Sequence, residues 1–305
     1  MLFTAKVAAL SVALAIWLSS LFSPVWSQTY TSCNPLTQSC PADPALGKSA
    51  SFDLTKESPR DWSARGTVTY DKINGASFAV AKRGDGPLIQ SHFYIMFGRV
   101  SITLKAAPGV GIVSSVVLQS DCLDEIDWEW LGSKGNEVQT NYFGKGRTEG
   151  HKNGQSLSDP NNNGQFQTYT IDWNSERILW QIDGTTVRTL NAAEAANGLY
   201  PQTPSHIKVG VWAGGDPENA PGTIEWAGGQ TDYSAGPYVM QVKSINVTDY
   251  STGSKYEYSD KTGSWKSIKA VGGQVNGSGD PGKAPSSSSP PISLSPTQAS
   301  SSSGT

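Results

Sequence analysis

The chain has 305 residues, 37% hydrophobic, 10% aromatic and 16% charged, with 32 Gly, 18 Pro and a formal net charge of −3. Such a length makes one large domain or two small ones, and sparse charge with many turn formers excludes coiled coil, collagen and long charged helices. There is no basic footprint for nucleic acid, and three His without an HExxH pattern offer little to a metal, so no cofactor is expected. The 10 Trp and 11 Tyr suit a core together with a stacking surface for an uncharged ligand.

The N-terminus reads MLFTAKVAALSVALAIWLSSLFSPVWSQ. Lys6, an apolar run from Val7 to about Leu21, Pro24 and the small Ser27 predict a signal peptide over residues 1–27. The run approaches the ~18–20 residues of a membrane span, but Pro24 and the small residues favour cleavage. Secretion makes Cys33 and Cys40, in TSCNPLTQSC, the natural disulfide pair, tethering the mature N-terminus. Cys122 is left over. Nothing near it activates a thiol, so it reads as a buried free cysteine.

From about Ser51 to Val271 the hydrophobic period is close to two. GTVTYDK, ASFAVAK, HFYIMFGRVSITLKA, GIVSSVVLQS, EIDWEWLG, EVQTNYFG, FQTYTIDW, RILWQIDGTTVRTL, HIKVGVWAGG, GTIEWAGG and YVMQVKSINVTDY all read as strands between turn residues. Asp183-Gly184 marks a tight hairpin, and NAAEAANGL is the one short helix expected. Many short strands at this spacing predict an all-β fold: a two-sheet antiparallel β-sandwich, or jelly roll, in one domain over residues 28–271. Beyond it, residues 272–305 are Gly-, Ser- and Pro-rich and predict a disordered, O-glycosylated stalk. The sequence ends without the hydrophobic tail of a lipid-anchor signal, which leaves a released protein or a longer natural chain as the two expectations. Asn246-Val-Thr248 and Asn276-Gly-Ser278 are glycosylation candidates.

The most informative stretch is Asp121-Cys-Leu-Asp-Glu-Ile-Asp-Trp-Glu-Trp130. On a strand Glu125, Asp127 and Glu129 share one face, while Ile126, Trp128 and Trp130 take the other. Three acids on one face repel, which a purely structural strand avoids. The Cα atoms of Glu125 and Glu129 lie roughly 13 Å apart at ~3.3 Å per residue. Side chains leaning together bring the carboxyl groups near the ~5–5.5 Å of a retaining glycosidase. Crowding raises one pKa and lets one acid hold a proton while the other stays ionised, with Asp127 tuning the split. A calcium site would use the same residue types, but the EF-hand spacing and its glycine are absent.

The ExDxE strand resembles that of glycoside hydrolase family sixteen. The longer string DEIDWEWLG, with VQTNYFGKG, YTIDW, YPQTPSHIKVGVWAGGD and GTIEWAGGQTDYSAGPY, resembles the fungal Crh-type cell-wall transglycosylases from about Cys33 to Tyr250. The resemblance implies that Glu125 is the nucleophile, Glu129 the general acid/base and a substrate contact, and Asp127 the assisting acid. It implies a chitin donor cleaved by retaining double displacement and passed to a β-glucan or chitin acceptor in the wall; for the oligomeric state a monomer is the default expectation.

A glycan cleft interleaves aromatic rings with hydrogen-bonding groups. Lys208 and Trp212 share one strand face, and Thr223 and Glu225 share another. The resemblance favours Lys208, Trp212 and Thr223 as chitin-binding residues. The bland alternatives are a core tryptophan at 212, a solvated lysine at 208 and an ordinary threonine at 223. Gln139, Asn141 and Tyr142 follow the acidic strand and line the same cleft in one reading, with Tyr142 in the core in the other. His92, His151 and His206 have no spacing that makes a triad or metal set, and read as ordinary surface or core residues.

Overall fold

The computed structural model describes residues 30–147 and 153–277. The expected signal peptide, His151 and the stalk beyond residue 277 lie outside the described residues. Two antiparallel sheets pack face to face, as period-two patterning requires when each strand has one apolar side. The first, called here the site sheet, runs Gln155–Ser158, Glu137–Phe143, Glu125–Leu131, Ile112–Ser120, Ser205–Ala213, Leu88–Ser91 and Trp62–Arg65 from edge to edge. The second runs Thr185–Asn191, Arg177–Ile182, Gln167–Trp173, Gly98–Lys105, Tyr238–Asp249, Gly75–Val80 and Val68–Asp71, with Ser49–Asp53 also pairing along Tyr238–Asp249. A small third sheet joins Asp43–Pro44, Lys255–Tyr258 and Ile268–Val271.

The core lies between the two large sheets. Trp128 and Trp130 point back from the acidic strand and are almost fully buried, with Tyr169 edge-on to both at 5.5 and 4.6 Å. Their burial needs polar anchors, because an indole N–H and a phenol must find acceptors in the interior. Asp159 supplies them for two of the three, accepting from Trp130 Nε1 at 3.2 Å and Tyr169 Oη at 2.9 Å, while Trp128 Nε1 is buried without a hydrogen-bond partner among the described residues. Trp180 of the second sheet donates its Nε1 to the Asp127 carbonyl at 3.1 Å. The acidic strand is therefore pinned from behind, through its backbone, by the opposite sheet. Arg188 supports the neighbouring strand, donating to Thr140 O and Oγ1 at 2.8 Å while its guanidinium lies 4.6 Å from the Trp180 ring centroid.

The hairpin at Asp183-Gly184 forms as expected, both residues taking positive φ of 47° and 82° as a primed turn demands. The Cys33–Cys40 disulfide also forms, and Cys122 is a buried free thiol. Three local expectations fail. GTIEWAGG is not a strand: Pro221–Trp226 is a short helix, opened by a proline whose fixed φ suits the first turn. NAAEAANGL contains two 3₁₀ turns, Ala192–Glu194 and Ala196–Gly198, instead of one helix. Residues 92–97 make only isolated bridges, and the strand starts at Gly98 after Phe97 adopts a φ of 61°. Residues 272–277, assigned above to the stalk, are tied to the fold: Ser175 N donates to Gly277 O at 2.9 Å, and Asn276 N to Ser251 Oγ at 3.0 Å.

Candidate active site

Strand pairing decides which side chains meet on the outward, concave face of the site sheet. Glu125 stands in register with Gln119 on one side and Phe143 on the other, Asp127 with Val117 and Asn141, and Glu129 with Ser115 and Gln139. One strand further, His206, Lys208 and Gly210 continue the same three rows. The three acids thus share one face, as their spacing predicts. Two of them are nearly sealed from water, Glu125 at 8% and Asp127 at 2% exposure, whereas Glu129 is only partly buried.

Burial makes a charged carboxylate costly, so each acid is harder to ionise than in water. Glu125 is pushed up to about 7 by burial, and is held from rising further by a hydrogen bond from Asp127 and by the nearby Lys208 cation. Burial lifts Glu129 to about 8, with the charge of Glu125 adding to the effect. Asp127 is raised well above the usual carboxylate range by burial, then by Glu125 and Glu129 on either side. All three acids are therefore harder to ionise than free carboxylates, and Glu125 and Asp127 are joined by a side-chain hydrogen bond.

Lys208 is not the solvated lysine of the bland reading. It is buried, its Nζ donates to Gln119 Oε1, and burial lowers it to about 8 despite the favourable charge of Glu125. Trp212 lies on the concave side and belongs to a small cluster with Val113, Leu131, Ala227 and Trp226, separate from the main core. Its ring centroid is 6.3 Å from that of Trp226. Trp226 Nε1 in turn donates to Gln139 Oε1 at 2.8 Å, and Gln139 is in register with Glu129. An aromatic pair therefore stands at the Glu129 end of the acidic strand.

The helical conformation of Pro221–Trp226 changes the reading of Thr223. Its expected strand partner Glu225 is no longer on the same side; Thr223 instead shares a helix side with Trp226, three residues on. Gln139 and Asn141 do face the cleft. Tyr142 does not: it is buried on the core side, and its hydroxyl accepts from Ala196 N at 3.0 Å. His206 is buried beside Tyr94 with ring centroids 5.1 Å apart, and burial lowers it to about 3, so it stays neutral. The Cys122 thiol is pushed up to about 12 by burial, consistent with an inert residue. Sequence reasoning missed Gln119 and Trp226. A glutamine in a strand buried along its whole length was a signal for the first; the second was hidden by the wrong secondary structure.

Residues 56–228 match the family described as Glycosyl hydrolases family 16. The chain belongs to that family. It is 61% identical over 269 residues to Crh-like protein 4 of Aspergillus fumigatus, an alignment covering 88% of this chain and 60% of that protein. It is 57% identical to Crh-like protein 4 of Botryotinia fuckeliana, covering 83% and 67%. The chain thus spans roughly three-fifths to two-thirds of these curated relatives. Among solved structures, it is similar to a Crh5 transglycosylase in complex with NAG, at a TM-score of 0.76 and 48% identity, covering 78% of this chain and 99% of that one. A Bacillus licheniformis β-glucanase, at a TM-score of 0.56 and 21% identity, shares the fold.

Proposed function

We propose that this protein is a cell-wall transglycosylase that acts outside the cell, cleaving chitin with retention and transferring it to a β-glucan or chitin acceptor. The observation that carries the reading is the row of three acids on one face of the acidic strand, Glu125 and Asp127 buried and Glu129 partly buried, beside the buried Lys208. A wall-binding lectin gains nothing from setting three mutually repelling acids side by side at the floor of its cleft. Similarity to a Crh5 transglycosylase over 99% of that chain favours transfer over hydrolysis.

In this reading a Glu125 carboxylate oxygen attacks the anomeric carbon, while Glu129 gives its proton to the departing glycosidic oxygen. A glycosyl ester on Glu125 and a free chain end result. Glu129, now ionised, takes the proton of an acceptor hydroxyl, whose oxygen attacks the anomeric carbon and displaces the Glu125 carboxylate. Asp127 holds Glu125 by a hydrogen bond and keeps its own charge out of the row. Lys208, Trp212, Trp226, Gln139 and Thr223 line the donor and acceptor chains.

The test is a transfer assay in which a chitin oligosaccharide is incubated with a fluorescent laminarin-type acceptor and the products are resolved by size. A labelled hybrid from the wild type, and none from Glu125→Gln, is the expected result. Shortened chitin without a hybrid would make the protein a hydrolase, and unchanged sugars would remove the enzymatic reading for this donor.

A further inference from the structure

The strand Ile112–Ser120 is buried along its whole length. Gln119, near its end, is fully buried, and an amide sealed from water costs free energy unless both its ends are bonded. One end is. Lys208 Nζ donates to Gln119 Oε1, and Lys208 is itself held, with the Tyr30 ring centroid 5.0 Å from Nζ. This contact fixes the orientation of the amide, because an ammonium only donates and must meet the oxygen. The Nε2 end, with its two N–H groups, is turned away from Lys208. It is buried and has no hydrogen-bond partner among the described residues.

Two acceptors stand beside it in the same row. Glu125 is directly opposite Gln119 on one neighbouring strand, and His206 is directly opposite on the other. Residues paired in this way have Cβ atoms about 5 Å apart. Glu125 Oε2 and both His206 nitrogens are also buried without a partner among the described residues. Asp127 is hydrogen-bonded to Glu125 from the same strand, and on the far side Glu125 stands opposite Phe143, whose side chain has no donor. The other two acids have different neighbours on Ile112–Ser120: Asp127 is beside the apolar Val117, and Glu129 beside Ser115. That strand offers an amide donor to Glu125 alone.

We infer that Gln119 is a positioning residue for the nucleophile: held by Lys208, it gives an amide N–H to the Glu125 carboxylate. This rests on the retaining reading above and adds to it how the attacking carboxylate is supported. A hydrogen bond to a carboxylate favours its charged form, so it acts when charge returns to Glu125. In the second displacement the acceptor oxygen bonds to the anomeric carbon. The bond from that carbon to the Glu125 oxygen breaks, its electron pair passing to the carboxylate, and the acceptor's proton goes to Glu129. Gln119 stabilises the departing carboxylate. The charged and titratable groups around Glu125 are Asp127 and Glu129 on its own strand and Lys208 and the neutral His206 on Ser205–Ala213. Asp121 and Arg65 act on Lys208 in turn, and Asp124, next in the chain, is paired with Lys145.

The test compares wild type, Gln119→Met, Lys208→Met and the double variant by the pH profile of kcat/KM for transfer from a chitin oligosaccharide, with circular dichroism as the folding control. Removing both partners of a buried bond in favour of apolar groups is milder than removing one, so the double variant serves where Gln119→Met alone fails to fold. In the Lys208→Met background, Gln119→Met is expected to move the acid limb up by about one further pH unit. It should lower kcat about tenfold without raising KM, whereas a lost sugar contact would raise KM. Carbon-13 NMR titration of the Glu125 carboxyl reads the same shift in a variant too slow to assay. An unmoved limb and titration in that background overturn the inference, since Gln119 would then only hold Lys208. A raised KM at unchanged kcat overturns it too, by making Gln119 a substrate contact. Activity present in wild type and lost in Glu125→Gln keeps the retaining reading whatever Gln119 does; equal activity in the two removes that reading and the Gln119 inference with it.

Discussion

Replacing Glu129 by glutamine keeps the side chain's volume and removes a carboxylate that the fold ionises with difficulty. In the folded protein this group sits at about 8 rather than its ordinary 4.5. Between those values the native state keeps a proton that the unfolded chain has lost, so stability falls as pH rises through that window. Below about pH 4.5 both states are protonated and the penalty vanishes; above about pH 8 it is complete. At ~1.4 kcal/mol per tenfold change, the rise from 4.5 to about 8 sets a ceiling of about 5 kcal/mol. Glu129 is only partly buried, and relaxation with water access reduces this to roughly 2–3 kcal/mol. Calorimetric melting of wild type and Glu129→Gln from pH 4 to 9 should give equal Tm values at the acid end. The variant should then gain stability up to pH 8, reaching about 4–12 °C. A variant that melts lower than wild type at pH 8, or a difference independent of pH, would refute the reasoning.

Two further outcomes follow from the same geometry. Lys208→Met removes a cation that favours ionised Glu125, so the acid limb of the kcat/KM profile for transfer, expected near pH 7 in the wild type, should move to higher pH; an unmoved limb would show that Lys208 does not act on that carboxylate. Trp226→Phe keeps a ring beside Trp212 but loses the donor to Gln139. Leaving that contact unmade should weaken donor affinity by about three- to tenfold with the fold intact, measured as KM with circular dichroism as control, and an unchanged KM would place Trp226 outside the donor site.

Much of the fold was legible because the sandwich writes itself as period two. Ile126, Trp128 and Trp130 face the core, and Glu125, Asp127 and Glu129 face the cleft, by the alternation of one strand alone. The proposed catalytic roles come from the resemblance to the Crh proteins, and the family membership agrees with the resemblance itself. The failure at GTIEWAGG has a local cause: Thr223, Ile224, Glu225 and Trp226 alternate as a strand would, and the overriding signal was the backbone restriction of Pro221 just ahead. The partners of Lys208 come from Gln119, 89 residues away, and from Tyr30, further still along the chain. Such meetings depend on the register of whole strands and the path of the N-terminal arm, which no local pattern records.

The division of labour between Glu125 and Glu129 meets its most direct test with an aryl β-glycoside of a chitin oligosaccharide, whose phenolate leaves without needing a proton. Glu129→Gln should then still form the glycosyl ester and release a rapid burst of one phenol per protein molecule, followed by slow turnover as acceptor activation fails. Glu125→Gln should release none above background. Phenol release from Glu125→Gln at the wild-type rate, or the absence of any burst from Glu129→Gln, would contradict the assignment of the two carboxylates.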